Sequence, residues 1–176
     1  MITENIQFLA TAGQDGYFPV NFGKMLPYGG TPIEQQLRDS GRLTGTVTHP
    51  DYEFLNPDLN WYAFLVQKLF ARRNFSPEGI ASLQNTDFEY RLTEAFNLKG
   101  SERLQQGKLR DLISQSNTLA TQTLKNLLDA IGTMGAAELL KEENTLLSIA
   151  DKEWTGESII QHENNILFNE LYASFQ

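Results

Sequence analysis

From Ile2 to Ala12 the apolar residues Ile2, Ile6, Leu9 and Ala10 recur at helical spacing, which predicts a short amphipathic helix ended by Gly13. The next stretch, 13–31, carries five glycines and two prolines around the apolar tract Tyr17-Phe18-Pro19-Val20-Asn21-Phe22, and reads as loop. Thr31-Pro32-Ile33-Glu34 then supplies a helix start, with threonine as N-cap, proline at the first helical position and glutamate placed to complete a capping box; Gly41 stops it. Leu43, Gly45, Val47 and His49 alternate with three threonines, which predicts a short β segment over 43–49 that Pro50 closes.

Asn56-Pro57-Asp58 repeats the cap-then-proline pattern, and Leu59, Tyr62, Val66, Leu69 and Phe70 form an apolar stripe on a helix ending near Arg73. Ser76-Pro77-Glu78 predicts a further short helix; Asp87 caps the next, which Gly100 ends and Ser101 follows with another. From there a helix runs to Ile131, with a break allowed at Gly107, and gathers Leu109, Leu112, Ile113, Ala120, Leu124, Leu127, Leu128 and Ile131 on one face. Gly132 and Gly135 punctuate a turn, a helix follows over 135–150, Trp154 and Gly156 mark another turn, and a last helix over 157–174 presents Ile159, Ile160, Ile166, Leu167, Leu171 and Phe175. Three helices joined by short turns can pack antiparallel.

Proline draws the boundary between two textures. All six prolines precede residue 78, and the 99 residues that follow contain none. An interior proline costs a helix about 3 kcal/mol, so a long tract without one reads as consecutive helices. The expected fold is therefore mainly α: a bundle of about five to seven helices over 56–176, with an irregular Gly/Pro/aromatic-rich arm over 1–55, in a single domain overall.

Composition removes several chemistries. The chain has no cysteine and only two histidines, which excludes disulfides, thiolate metal sites and a cysteine nucleophile. His162-Glu163 opens a pattern like the zinc-hydrolase H-E-x-x-H, but Ile166 stands where the second imidazole belongs, so a polar position on a solvent-facing helix side is the better reading. His49 beside Asp51 lacks an identifiable nucleophile and reads as a turn residue, and Gly100 to Gly107-Lys108 has the wrong spacing for a phosphate loop. Glu34, Asp39, Asp51, Glu53, Asp58 and Glu78 could pair for glycoside hydrolysis, but a third of them are accounted for as caps or helix-start charges. No catalytic residue, metal site or cofactor is assigned.

The net charge of −8 argues against direct nucleic-acid binding. It divides as −4 over 1–60, +2 over 61–120 and −6 over 121–176. Arg72 and Arg73 among Phe70, Phe75 and Trp61 resemble a base-stacking patch in composition, yet the helical spacing assigns most of these rings to the core. No leader and no membrane span is expected, and the chain is placed in the cytoplasm or a virion.

An aromatic, glycine-rich loop needs a surface to lie on. The reading that follows is a non-catalytic structural component of a large assembly, of the virion or secretion-machine type, in a homo- or hetero-oligomer. Tyr17, Phe18, Phe22, Tyr28, Arg72 and Arg73 are its expected contacts with other protein subunits. A small helical protein-binding or regulatory module is the second reading, and a carboxylate-based hydrolase the third.

Overall fold

The computed structural model describes residues 2–96 and 100–173, with side chains for all of these except 100–104. In chain order the elements are α1 (Ile2–Ala12), α2 (Pro32–Asp39), β1 (Leu43–Gly45), β2 (Pro50–Tyr52), α3 (Pro57–Leu69), α4 (Ala71–Phe75), α5 (Ile80–Ala95), α6 (Gly100–Met134), α7 (Ala136–Leu139) and α8 (Glu143–Ala173). The chain is mainly α, as the proline distribution indicates. Among the described residues there are eight helices, six of which, α3 to α8, lie over 56–176, within the expected count.

The N-terminal helix signals act as written. Thr31 accepts from the backbone N–H of Glu34 and Asn56 from that of Asp58, each followed by proline in the first turn. Only half of the capping box forms. The Glu34 carboxylate turns instead to Arg38, and the Thr31 N–H goes to the carbonyl of Tyr28.

The β segment differs from expectation. Pro50 does not close a strand but opens the return strand of a hairpin, with Leu43 opposite Tyr52 and Gly45 opposite Pro50. Proline is tolerated at the first residue of a strand, where no ladder N–H is needed. Gly45, at φ 79°, makes the bend, and Thr46 and His49 exchange backbone hydrogen bonds across the turn.

Five helix boundaries are corrected. The helix expected to end near Arg73 breaks at Phe70 into α3 and α4. Ser76-Pro77-Glu78 forms a turn rather than a helix, held where the Ser76 hydroxyl accepts from the Glu78 N–H at 3.2 Å. Helix resumes at Ile80, so Asp87 lies inside α5 and bonds Arg91 one turn on, at 2.6 Å. Helix α6 begins at Gly100 and runs unbroken through Gly107. The largest departure is α8, a single 31-residue helix that passes straight through the predicted turn at Trp154 and Gly156. Gly156 serves close packing there: a Cβ on it would meet Leu119 Cδ2 of α6 at 2.6 Å. Phe175, expected on the apolar face of the last helix, lies outside the described residues.

In place of three antiparallel helices joined by short turns, the body is built on two long ones. Gln105 bonds Glu170, Ser116 bonds Glu157 and Thr123 bonds Glu153, so residue numbers climb on α6 as they fall on α8 and the pair is antiparallel. Two apolar clusters flank this seam. One joins α1, α3 and α7 to the later part of α6 around Phe70, Leu124, Leu127 and Leu139; the other joins α5 and α8 to its earlier part around Leu83, Tyr90, Leu109 and Ile113. Among the described residues no helix is long and apolar enough to cross a membrane.

Glycines in two helical contexts make a stability test. Gly107 is exposed within α6 and a Cβ there meets nothing within 4 Å, so Gly107→Ala is expected to stabilise by about 1 kcal/mol. At Gly79 the same Cβ would stand 2.0 Å from the carbonyl oxygen of Arg73, and Gly79→Ala is expected to cost roughly 2 kcal/mol or more. Urea unfolding midpoints at unchanged slope read both effects.

Candidate functional site: a buried arginine between two carboxylates

Between the two apolar clusters the α6–α8 seam turns polar. The residues of α8 buried in it are Ala150, Glu153, Glu157, Ile160, Asn164, Leu167 and Leu171, an alternating three-and-four spacing in which three of seven positions are polar. Opposite them α6 contributes Ser116 and Thr123. The Ser116 hydroxyl donates to Glu157 Oε1 at 2.6 Å and the Thr123 hydroxyl to Glu153 Oε2 at 2.7 Å.

Arg73 enters this layer from α4 and is 3% exposed. Its Nε donates to Glu157 Oε1 at 3.1 Å and to Ser116 Oγ at 3.3 Å. Its Nη1 donates to the carbonyl oxygen of Val20 at 3.0 Å and to Asn74 Oδ1 at 3.2 Å. One guanidinium thus joins α4, α6, α8 and the N-terminal arm. A planar group with five donors in a fixed fork suits that position; a lysine would not.

The arm is tied down a second time by Asn117, 2% exposed on α6. Its Oδ1 accepts from the Val20 N–H at 2.7 Å, while its Nδ2 donates to the carbonyls of Gly13 at 2.9 Å and Phe18 at 3.0 Å. Gly16 sits at φ 68° and so close to α6 that a Cβ would lie 1.9 Å from the Arg110 carbonyl oxygen. Within the loop over 13–22 the carbonyls of Gly13 and Phe18 and both backbone groups of Val20 are therefore held by its own helices.

The charges do not balance. Glu153 is 1% and Glu157 8% exposed, and Arg73 is the cation they share. Burial pushes the Glu153 carboxyl up to about 7; the Thr123 hydroxyl works against this, the Glu157 charge adds to it and Arg73 opposes it. Burial lowers the Arg73 pKa, countered by both glutamates. Three atoms of the cluster have no hydrogen-bond partner: Arg73 Nη2, Glu153 Oε1 and Glu157 Oε2.

The six contacts expected from the sequence separate into two groups. Arg73 is corrected to an interior residue, because its guanidinium bonds the seam and the arm and is not available to another protein. Phe22 packs edge-on against buried Phe70 at 4.7 Å, and the Tyr17 ring lies under Arg110 at 4.3 Å. Phe18 and Tyr28 remain 51% and 65% exposed, and Arg72 stands outside with Glu78 at 3.9 Å.

Three of the carboxylates considered for hydrolysis are paired with cations. Glu34 pairs with Arg38, Asp51 with Lys24 and Glu78 with Arg72. Burial works to raise Asp51, but its bonds to Lys24 and the Tyr52 N–H hold it below the ordinary carboxylate value. His49 bonds the neighbouring Thr48 hydroxyl at 3.0 Å in the hairpin turn, and His162 faces solvent on α8. Among the described residues no three His, Cys, Asp or Glu are grouped to hold a metal ion. Comparison with known proteins finds no matching family model, no matching curated protein and no matching solved structure.

Removing the guanidinium alone leaves buried carboxylate unpaired and the Val20 carbonyl unbonded. Arg73→Met is expected to destabilise by about 3–5 kcal/mol, and the double change Arg73→Met with Glu157→Met to recover part of that loss, since an apolar pair removes the stranded charge. Equilibrium denaturation of the single and double variants gives the comparison.

Proposed function

We propose that this chain is a non-catalytic structural subunit of a multi-subunit assembly, of the virion or secretion-machine type, and that it meets its neighbours through the apolar side of its N-terminal third. The observation that supports this is the set of large side chains left bare there: Phe8 is 70%, Met25 51%, Tyr28 65%, Val47 100% and Leu55 85% exposed. Exposed apolar surface that is clustered rather than scattered marks contact sites.

Phe8 and Met25 line one groove of about 550 Å³, whose floor is Ile6, Leu9, Phe22 and Tyr62 and whose far wall is Tyr52 and Phe54 of the hairpin. Lys24 spans it, bonded to Asp51 and lying over the Tyr52 ring at 4.6 Å, so the groove is shaped by an ion pair rather than left to collapse. Such a cleft accepts an aromatic or aliphatic anchor from another subunit.

The inner edge of the arm belongs to its own chain and its outer edge faces out. Backbone groups of Gly13, Phe18 and Val20 are taken by α6 and α4, so contact with a neighbour falls to the exposed side chains of Tyr17 and Phe18 and to the stretch 24–28 with the hairpin. The sealed cluster around Arg73 fits the same reading, since three charged side chains each at most 8% exposed hold segments together.

Light scattering on the purified chain is expected to give a multiple of the 19.9 kDa chain mass, and Phe8→Ser with Tyr28→Ser to reduce it to one chain. Stability of that variant should stay within about 0.5 kcal/mol, as surface changes do. A wild-type chain that stays at monomer mass at high concentration favours a small helical protein-binding module instead.

A further inference from the structure

The buried cluster holds two carboxyl groups one helical turn apart on the same face of α8, and one guanidinium. With both carboxylates ionised the interior would carry a net negative charge, which low-dielectric surroundings penalise heavily. Arg73 cannot neutralise both: its Nε is given to Glu157 and Ser116, its Nη1 to Val20 and Asn74, and its Nη2 reaches no acceptor.

Glu153 Oε1 and Glu157 Oε2 lack a donor, and both are closed off from solvent. The cavity that Arg73, Glu153 and Glu157 line together with Arg72, Trp154 and Gln161 has room for about one water, but the two oxygens are themselves buried. A proton needs no cavity. Placed on Glu153, which Arg73 does not bond, it removes the surplus charge.

We propose that Glu153 holds a proton in the folded protein, and that this proton keeps Arg73 free to hold the N-terminal arm. Loss of the proton leaves a second buried carboxylate, and the cation buried with it is Arg73. The guanidinium is drawn toward Glu153, and the bond it gives up is the one from Nη1 to the Val20 carbonyl. The groups facing the pair are Arg73 from α4, Ser116 and Thr123 from α6 and Gln161 on α8 itself; Arg72 and Glu78 pair with each other at the rim.

The direction with pH follows from where the proton is held more tightly. An unfolded glutamate has its ordinary value of 4.5, whereas folded Glu153 stands at about 7, so folding is favoured most below the first and the advantage is lost as pH rises through the second.

The test combines carboxyl ¹³C titration of the full chain with amide exchange at Val20, whose N–H is bonded to Asn117. In the wild type one glutamate carboxyl is expected to titrate near neutrality, and the Val20 protection factor to fall roughly tenfold between about pH 6 and about pH 8.5. Glu153→Gln, which copies the protonated group, should fold, lose that titration and keep its Val20 protection at both pH values. Glu157→Gln should move the Glu153 titration down toward the ordinary range. The proposal is overturned if all wild-type carboxyls titrate in the ordinary range, if Val20 protection falls equally in Glu153→Gln, or if Glu157→Gln leaves the titration where it was.

Discussion

The contact on which the rest of the structure depends is the buried ion pair between Arg73 and Glu157. Its two partners come from helices 84 positions apart in sequence, and the same guanidinium reaches the arm a further 53 positions upstream. Desolvating such a pair costs several kcal/mol, so its value lies less in net stability than in what it forbids. Sliding α8 by one turn against α6 would in one direction set Ile160 against Arg73 and Ser116, and in the other carry Glu157 past them towards the apolar Leu112 and Ile113. The apolar clusters on either side would tolerate such a slip far better, because leucine meets leucine almost as well one turn away.

Much of the architecture is written in short local signals. Thr31-Pro32 and Asn56-Pro57 start helices at the residues expected, because a side-chain cap and a preset φ act within one turn of chain. Helix α1 ends at Gly13, and the stripe Leu109 to Ile131 is buried along α6 as its period requires. The hairpin was half visible: β-compatible alternation appears over 43–49, but its pairing depends on Pro50 starting a strand rather than ending one.

The polar seam was hidden by a single reading of glycine. Taking Trp154 and Gly156 as a turn splits α8 and removes the register in which Ala150, Glu153, Glu157 and Ile160 fall on one face. Read as a continuous helix, that register would place two carboxylates in the core, and a buried carboxylate demands a cation. Arg73 is the answer to that demand, yet nothing within its own segment shows it. A pair of arginines at a helix end is ordinarily a solvated dipole partner, and only the long-range seam turns Arg73 inward while Arg72 stays out. Gly156 illustrates the same limit, since glycine kept for a close helix crossing and glycine kept for a turn look alike in sequence.

What the seam does for the arm explains why one loop can be both fixed and presented. Asn117 and Arg73 take the backbone groups of Gly13, Phe18 and Val20, leaving side chains as the part of the arm free to vary. Phe22 turns in against Phe70 while Phe18 stays out. A surface built this way loses little conformational entropy when another protein covers it, because the backbone is already held. Hence the two parts of the molecule that carry its oddities, a charged interior and a bare apolar N-terminal face, are joined by the same bonds: whatever shifts Arg73 shifts the platform on which that face is displayed.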